Sequence, residues 1–579
     1  MTWVKGLAKP LAIGLVIREF LAPFTGHPWD FEIWVRLGVL LQSGTNPYSL
    51  LPSVSGLSFA PYASMTSISY PPLSALIFAV TYRLYAVLGS VSPFLYYFLL
   101  KQPMVLSDVL VALLLFRLLA LRGDEDRARR IASLWLYFPF AVVVSAMWGA
   151  LDPIALLLTL AALYSFESNR TNLSAVFLGF GVFMKLMPVI FLPVFLIDRR
   201  LALANRIPFV ATTIAIPALG TAIPTLVFGW GFFNIYNAVS YQAALPAFGG
   251  MSIFFPLAFT TPPDLLAFAL GSLWLPALLL GYVFLWNKKF GLAEGLLVTV
   301  LIFSVARTAV PEQWAVYPMA LLLVTLGGEA WRHFVAITSI ASAFLVTNNA
   351  LLVRFFSPSS LAAFNWDQYV DNASAFSDFR YALLIAFSTL FFAEGISVIT
   401  GKKSFLFAKL KAISAMSARG VLPSLAYLGI VSVTGGLLDF TVTKMITDWK
   451  LAIESHVFLG LSWLSLYHIM LVVVFESVAF IVVFFSWKNF SQSVGLLILL
   501  TSLNVAASGL ALVIFNLLDG APILATTPIY LAGSLVISER FFLTFVVLTC
   551  GLGILYLAEI RWSVLLVPKA LRRAFQAVR

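Results

Sequence analysis

The feature that most constrains this chain is the recurrence of apolar runs about 17–25 residues long, the length a helix needs to cross the hydrocarbon core of a bilayer. The first, Leu7–Phe24, follows Lys5 and carries Lys9 near its start. No small-residue cleavage site precedes its Trp-rich continuation, so it reads as a retained first helix. Further runs fall near 104–121, 131–148, 153–167, a close pair spanning 173–197, 207–228, 265–286, 291–309, 313–328, 334–352 and 380–399. Four more follow near 421–438, 460–486, 494–515 and 541–559. Of the 579 residues, 61% are hydrophobic and only 11% charged, whereas a soluble domain carries roughly 25% charged residues. The expected fold is all-α, a polytopic transmembrane helical bundle. The single cysteine, Cys550, excludes a disulfide framework and a cysteine metal site. His27, His333, His456 and His468 are too scattered to suggest a metal cluster, and no P-loop, dinucleotide glycine fingerprint or zincin motif is present.

The net charge of +11 would suit nucleic acid if it were clustered, but the basic residues lie between apolar spans, so no nucleic-acid partner is expected. They instead set an orientation. The connection Arg122–Arg130 holds four arginines, the stretch from Lys402 through Lys409, Lys411 and Arg419 is basic, and so is the tail Arg561–Arg579. With the N-terminus inside, the inner connections and termini collect about 25 of the 36 Lys and Arg, the bias expected of cytoplasmic segments. That arrangement requires about 16 spans, with both termini inside. Pro71–Leu88 is apolar enough to cross, yet a crossing there would put Arg122–Arg130 outside. Either it dips in without crossing, or a second short crossing lies within Pro93–Leu100.

The outer side then receives a large first loop, 25–69, a turn at Trp148–Asp152, the segment 229–264, and a turn at Arg307–Glu312. In the first loop, Asp30–Gln42 is predicted to form a short interfacial helix, with Trp29, Phe31 and Trp34 near headgroup level. Arg18, Asp108, Asp152, Lys185 and Arg307 all lie in or beside apolar runs towards this side. Charge inside a bilayer is costly and marks function by default, which predicts a cavity opening outward.

Several residues could carry chemistry. Asp30 and Glu32 are two apart, so they share a face in an extended segment but diverge by about 200° on a helix. Asp30 could simply cap a helix and Glu32 favour its first turn. Alternatively, a carboxylate here could deprotonate an acceptor hydroxyl, or hold a divalent cation against a phosphate. Lys185 is the lone cation in an apolar run about 25 residues long. Folded as two short helices, the run places Lys185 near its tip, where it needs a protein carboxylate or a lipid phosphate. Arg307 and Glu312 could pair with each other, or Arg307 could take a phosphate bidentately. Asp152 could cap the helix starting at Pro153, or face a substrate. The aromatic outer loop Trp230–Tyr241 suits stacking on sugar rings or lying in the interface.

The order of short motifs is informative as a set: an acid in the first outer loop, Asn46-Pro47-Tyr48, Tyr70-Pro71-Pro72-Leu73, Trp148-Gly149-Ala150-Leu151-Asp152, Lys185-Leu186-Met187-Pro188 and Glu312-Gln313-Trp314. Over about residues 1–400 this resembles the GT-C superfamily of integral-membrane glycosyltransferases. It is most similar to the polyprenyl-phosphate-mannose-dependent mannosyltransferases, which include the GPI mannosyltransferase I catalytic subunit and its prokaryotic relatives. The resemblance implies a helical bundle of GT-C type with its active site at the outer face. It implies transfer of a hexose, mannose by likeness, from a polyprenyl (dolichyl) phosphate donor to a hydroxyl of a lipid-linked or protein-linked glycan, with inversion.

On that resemblance Asp30 is the general base and Glu32 completes an acidic D-x-E motif, a departure from the aspartate pair of many relatives that leaves metal use open. Lys185 and Arg307 would bind the donor phosphate, and Asp152, Tyr70, Glu312 and Gln313 would line the substrate pocket. The partners implied are the lipid donor, a glycan or glycolipid acceptor and the surrounding membrane lipids. The expected domains are a catalytic membrane module over 1–400, a basic linker over 401–420 and an accessory helical module over 421–579. The expected location is the plasma membrane of a prokaryote, or the endoplasmic reticulum of a eukaryote. A transporter or flippase for a lipid-linked or anionic solute is the alternative, since the same buried charges could line a permeation path.

Overall fold

A computed structural model describes most of residues 2–348, apart from 25, 28–29, 43, 50–67, 90–92, 245–247, 260–262, 289 and 326–328. Beyond these it describes 377–406 and 408, and four short strands after residue 456. The spans expected near 421–438, 460–486, 494–515 and 541–559 lie outside the described residues, apart from strand residues 461–462. So do Cys550, most of residues 353–379, which the alternation of spans places outside, the linker beyond Ala408 and the basic tail.

The chain divides into two compact units, the first holding the described residues of Met1–Ile337 and Leu384–Lys403. All of the candidate residues fall in the first unit. In the second, Val457–Phe458 pairs antiparallel with Leu461–Ser462, and Ile529–Leu531 with Leu535–Ile537.

The first unit is helical, as the apolar periodicity predicts. Its elements begin with α1 (Thr2–Leu21), α2 (Asp30–Gln42), α3 (Pro72–Val87), α4 (Pro93–Ala120) and α5 (Glu125–Tyr137). A short α6 (Pro139–Val142) runs into a π-helical turn, Val143–Trp148. There follow α7 (Asp152–Glu167), α8 (Thr171–Met184), α9 (Leu192–Ile197), α10 (Leu203–Val227), α11 (Phe232–Ala244), α12 (Asp264–Gly271), α13 (Trp274–Asn287), α14 (Leu292–Ala306), α15 (Val316–Thr325) and α16 (Ala330–Asn348), of which only the part up to Ile337 belongs to this unit.

Among the described residues three helical stretches are long and apolar enough to cross a membrane: Phe94–Ala120, Leu203–Val227 and Asp264–Asn287. The stretch Glu125–Tyr137 with Phe140–Trp148 makes a fourth if its 51° bend is one broken span. Pro72–Val87, Thr171–Met184, Leu292–Ala306 and Leu384–Ile399 are apolar but shorter. A total near sixteen would therefore draw on short and broken helices, and on residues outside those described.

Two expectations need correction, and one gains a packing partner. The helix placed at 104–121 starts eleven residues earlier, at Pro93, so Pro93–Leu100 is its first part and not a separate crossing. The helix Asp30–Gln42 forms where expected, and Trp34, 1% exposed, stacks on Phe78 of α3 with 5.4 Å between ring centroids. Gly38 lets Tyr82 and Tyr96 approach the α2 backbone closely there. The aromatic segment 230–241 is not a loop throughout. It contains α11, with Phe232, Phe233 and Tyr236 exposed and Trp230 buried.

Two packing devices fix the region of interest. Gly179 of α8 sits so close to α10 that a Cβ there would meet the Thr213 carbonyl oxygen at 3.0 Å and Ile216 at 2.9 Å. Small residues at such crossings let membrane helices pack on van der Waals contact alone. At the other device, Arg18 of α1 is fully buried against Asp108 of α4 at 2.7 Å. Arg18 also donates to the Gly14 and Leu136 carbonyls, while Asp108 accepts from Trp135 Nε1 at 2.8 Å and Ser145 Oγ at 2.9 Å. The guanidinium N–H groups and both carboxylate oxygens find partners here, as a buried ion pair requires. Arg18 and Asp108 therefore lock α1, α4 and α5 together.

Candidate functional site

The site begins where the first loop meets the Trp148 turn. The π-helical turn ends at Gly149, whose φ of 78° is one that glycine adopts without steric cost. The Ala150 N–H donates to the Val144 carbonyl at 2.9 Å, and the chain then re-enters a helix at Asp152 with Pro153 in the first turn. Trp148 is thereby presented to the first loop. His27 stacks on it with centroids 4.2 Å apart and planes 8° from parallel, and the His27 N–H donates to the Trp148 carbonyl at 3.2 Å. The Asp30 backbone N–H donates to His27 Nδ1 at 3.1 Å, and Trp148 Nε1 donates to Asp30 Oδ2 at 3.0 Å. Asp30 is thus held from both sides at the start of α2. Its Oδ1 has no hydrogen-bond partner among the described residues. Behind this junction Lys101, fully buried in α4, donates to the Ala22 carbonyl at 2.9 Å and the Met147 carbonyl at 3.2 Å. It ties the end of α1 to the Trp148 turn.

Asp152 stands close enough to Asp30 for the two charges to interact. Lys185 meets it from α8, which breaks at that residue: Lys185 is extended, with φ −153° and ψ 136°, ahead of Pro188. Lys185 lies at the break between α8 and the short helical turns Met187–Phe191 and Leu192–Ile197, as the two-short-helix expectation has it. Lys185 Nζ donates to both Asp152 oxygens, at 2.8 and 2.9 Å, with both side chains buried. An ammonium has three donors, so one remains without an acceptor among the described residues. Nζ also lies 5.6 Å from the ring centroids of Tyr70 and Trp314. Tyr70 is positioned through its carbonyl, which accepts from Tyr48 Oη at 2.9 Å. The Tyr48 N–H in turn bonds Asn46 Oδ1 at 3.0 Å, so the two Pro-containing motifs form one unit.

Arg307 follows α14 and lies over the rings of Phe303 and Trp314, at 5.1 and 5.3 Å. Its Nε donates to the Ala309 carbonyl at 3.2 Å. Its own carbonyl accepts from Ser252 Oγ at 2.6 Å, beside a short parallel pairing of Gly249–Gly250 with Ala309–Val310. Lys185 and Arg307 are therefore neighbours of one indole, that of Trp314. Glu312, Gln313 and Trp314 occupy the buried 3-10 turn that leads into α15.

Three polar atoms in this wall are buried without a hydrogen-bond partner among the described residues: Gln313 Oε1, Trp314 Nε1 and Tyr317 Oη. Tyr317 lies within electrostatic reach of Asp152 and Tyr70. Buried polar groups are normally satisfied, and each orphan costs about 1–3 kcal/mol. Three of them beside an ion pair describe a wall suited to a hydroxyl-rich ligand.

The structure thus gathers Asp30, Asp152, Lys185, Tyr70, Arg307 and the 312–314 turn into one cluster. The Glu32 side chain lies outside the described residues. Among the described residues no three His, Cys, Asp or Glu side chains are grouped to hold a metal ion. The sequence reading gave no role to His27, Trp148, Lys101 or Tyr317. Tyr317 could have been found from spacing, since it lies one helical turn beyond Gln313 and Trp314. Lys101 is unremarkable in sequence beside the apolar run it joins.

No family model matches the chain. Three curated proteins are similar to it, each named GPI mannosyltransferase 1. That of Candida albicans is 21% identical over 338 residues, covering 51% of this chain and 79% of the relative. That of Gibberella zeae is 30% identical over 135 residues, 23% of this chain and 29% of the relative. That of Schizosaccharomyces pombe is 30% identical over 92 residues, 16% of this chain and 24% of the relative. The resemblance to GT-C mannosyltransferases therefore stands on comparison as well as on motifs. All three relatives are fungal, which lends no support to a prokaryotic plasma membrane, and none supports a transporter.

Proposed function

We propose that this chain is a membrane glycosyltransferase that moves a mannosyl group from a polyprenyl-phosphate donor to a hydroxyl of a glycan or glycolipid acceptor. The observation that carries the reading is that Asp30, held by Trp148, lies within electrostatic reach of Asp152, whose partner Lys185 shares the Trp314 indole with Arg307. A transferase of this kind needs a base for the acceptor, cations for the leaving phosphate and polar groups for the sugar, and this wall supplies all three.

In the proposed step, Asp30 Oδ1 takes the proton of the acceptor hydroxyl as its oxygen attacks the anomeric carbon. The bond from that carbon to the donor phosphate oxygen breaks, and polyprenyl phosphate leaves with the electron pair. The anomeric centre inverts. Lys185, through its remaining N–H, and Arg307 face the phosphate, where fixed cations stabilise charge on the leaving group. Asp152 holds Lys185 in place and, with Tyr70, Glu312 and Gln313, lines the sugar pocket. Because the leaving group is already a phosphate, a base and good positioning suffice for the step as written. If a divalent cation takes part, Asp30 and Glu32 are the residues that would hold it. Residues 1–400 form the catalytic module in this reading, with 401–420 a basic linker and 421–579 an accessory module.

The test is transfer from radiolabelled polyprenyl-phosphate-mannose in membranes containing the wild-type chain or Asp30→Asn. Loss of transfer in the variant supports the reading, and undiminished transfer overturns it.

A further inference from the structure

A second site lies at the other end of the same helices. Helix α7 opens with Asp152 and closes with Glu167, and α14 runs from Leu292 up to Arg307. At 16 and 15 residues, they separate their ends by about 22–24 Å. Helix α15 follows Trp314 and ends where the Val324 carbonyl accepts from Arg122 Nη1 at 2.5 Å. A cavity of about 540 Å³ sits among these far ends, lined by Arg122, Glu167, Arg199, Arg200, Lys288 and Glu294 among others. The positive-inside count puts this end on the inner face.

Its charge is not balanced. Arg200 engages both Glu167 and Asp198, at 2.7 and 2.8 Å. Glu294 accepts from the Gly291 N–H at 3.3 Å. Lys288 lies over the Phe284 ring at 4.6 Å, and neither it nor Arg199 has an acidic partner among the described residues. The cavity is amphipathic as well, because Leu285 and Trp286 form part of its wall. They close the stretch Asp264–Asn287, apolar enough to cross a membrane and only 17% buried, whose Leu279, Leu280, Val283 and Trp286 are exposed. Such a flank faces lipid tails, and its terminal Trp286 and Lys288 mark the headgroup level. The cavity therefore opens where a phosphate and the root of an acyl chain meet.

We propose that this cavity binds the phosphate of an anionic glycerophospholipid of the inner leaflet, with Arg199 and Lys288 on the phosphate and Leu285 and Trp286 on the acyl root. The site is separate from the transferase wall and does not depend on the transferase reading.

The experiment is native mass spectrometry of the delipidated full chain, titrated with phosphatidylglycerol, phosphatidylcholine, polyprenyl phosphate or inorganic phosphate. One phosphatidylglycerol per chain should be retained in preference to phosphatidylcholine. Arg199→Ala with Lys288→Ala should weaken that retention roughly tenfold or more. Arg130→Ala with Arg170→Ala, which removes basic residues outside the cavity, should leave it unchanged. Equal loss in both pairs would reduce the effect to diffuse surface charge and overturn the site. So would retention of phosphatidylglycerol in the first pair, or saturation by polyprenyl phosphate or inorganic phosphate in its place. Lys288→Ala alone, at an exposed position, gives the same reading if the first pair does not fold, and should weaken retention severalfold.

Discussion

Trp148 Nε1 donates to one oxygen of Asp30 at 3.0 Å and leaves the other oxygen open. A carboxylate held in this way keeps a fixed direction without losing its capacity to accept a proton. Asp30→Asn preserves shape and can still accept from the indole, so the fold should be unchanged. Transfer should fall by about 10²–10⁴, the usual worth of a positioned general base. Radiolabelled mannose transfer, with thermal melting in detergent as the control, checks both halves.

The indole itself is a positioning group. Trp148→Phe keeps an aromatic surface against His27, whose ring now lies 4.2 Å away, but removes the N–H. Turnover should drop roughly tenfold, about the worth of one hydrogen bond to a charged group, while the KM for donor stays near that of wild type. A rise in KM with unchanged turnover would place Trp148 in donor binding instead.

Tyr317 offers a test of the sugar pocket. Its hydroxyl is fully buried and has no hydrogen-bond partner among the described residues. Tyr317→Phe therefore removes an unsatisfied group and should melt at the same temperature or higher. If the hydroxyl bonds a sugar oxygen, the donor KM should rise about two- to tenfold, the range of one net hydrogen bond. Lower stability with unchanged KM would mean that the hydroxyl serves the fold.

Arg18 behaves oppositely. Its guanidinium and the Asp108 carboxylate satisfy each other and their neighbours with no exposed surface. Arg18→Ala leaves Asp108 buried and uncompensated, which should cost about 3–5 kcal/mol. Yield and melting temperature should fall, yet activity per folded molecule should hold. Detergent melting curves together with specific activity separate the two effects.

These residues also show what the sequence could reveal. Helices were legible because apolar periodicity and length carry a direct signal, and Lys185 stood out because a lone cation in an apolar run must find an anion. The proline at 188, just past the helix break at Lys185, made its position readable too. Charge alone could not distinguish Arg18 from Arg307: both are cations beside apolar helices, and only the three-dimensional neighbours show that one is closed by Asp108 while the other lies over Trp314. The burial of Trp34 against Phe78 was not legible for a similar reason. A tryptophan in a first loop suits the interface equally well, and the close approach at Gly38 is a tertiary fact. His27 and Trp148 are 121 residues apart, beyond the reach of any local pattern.

The Lys185–Asp152 pair decides how much of the wall is scaffold. Lys185→Met leaves a buried carboxylate, so it should lose about 3–5 kcal/mol, and Asp152→Leu should be similarly damaging because it strands the ammonium. Replacing both together removes the two charges at once, and buried pairs exchanged for apolar residues of like volume often regain their stability. The double variant should therefore melt close to wild type. Its transfer should nevertheless stay low, with the donor KM raised, because no apolar substitute can face a phosphate. Melting curves and donor titrations on the two single variants and the double complete the cycle. Full recovery of transfer in the double variant would confine Lys185 and Asp152 to holding α7 against α8, and would leave Arg307 as the cation for the donor.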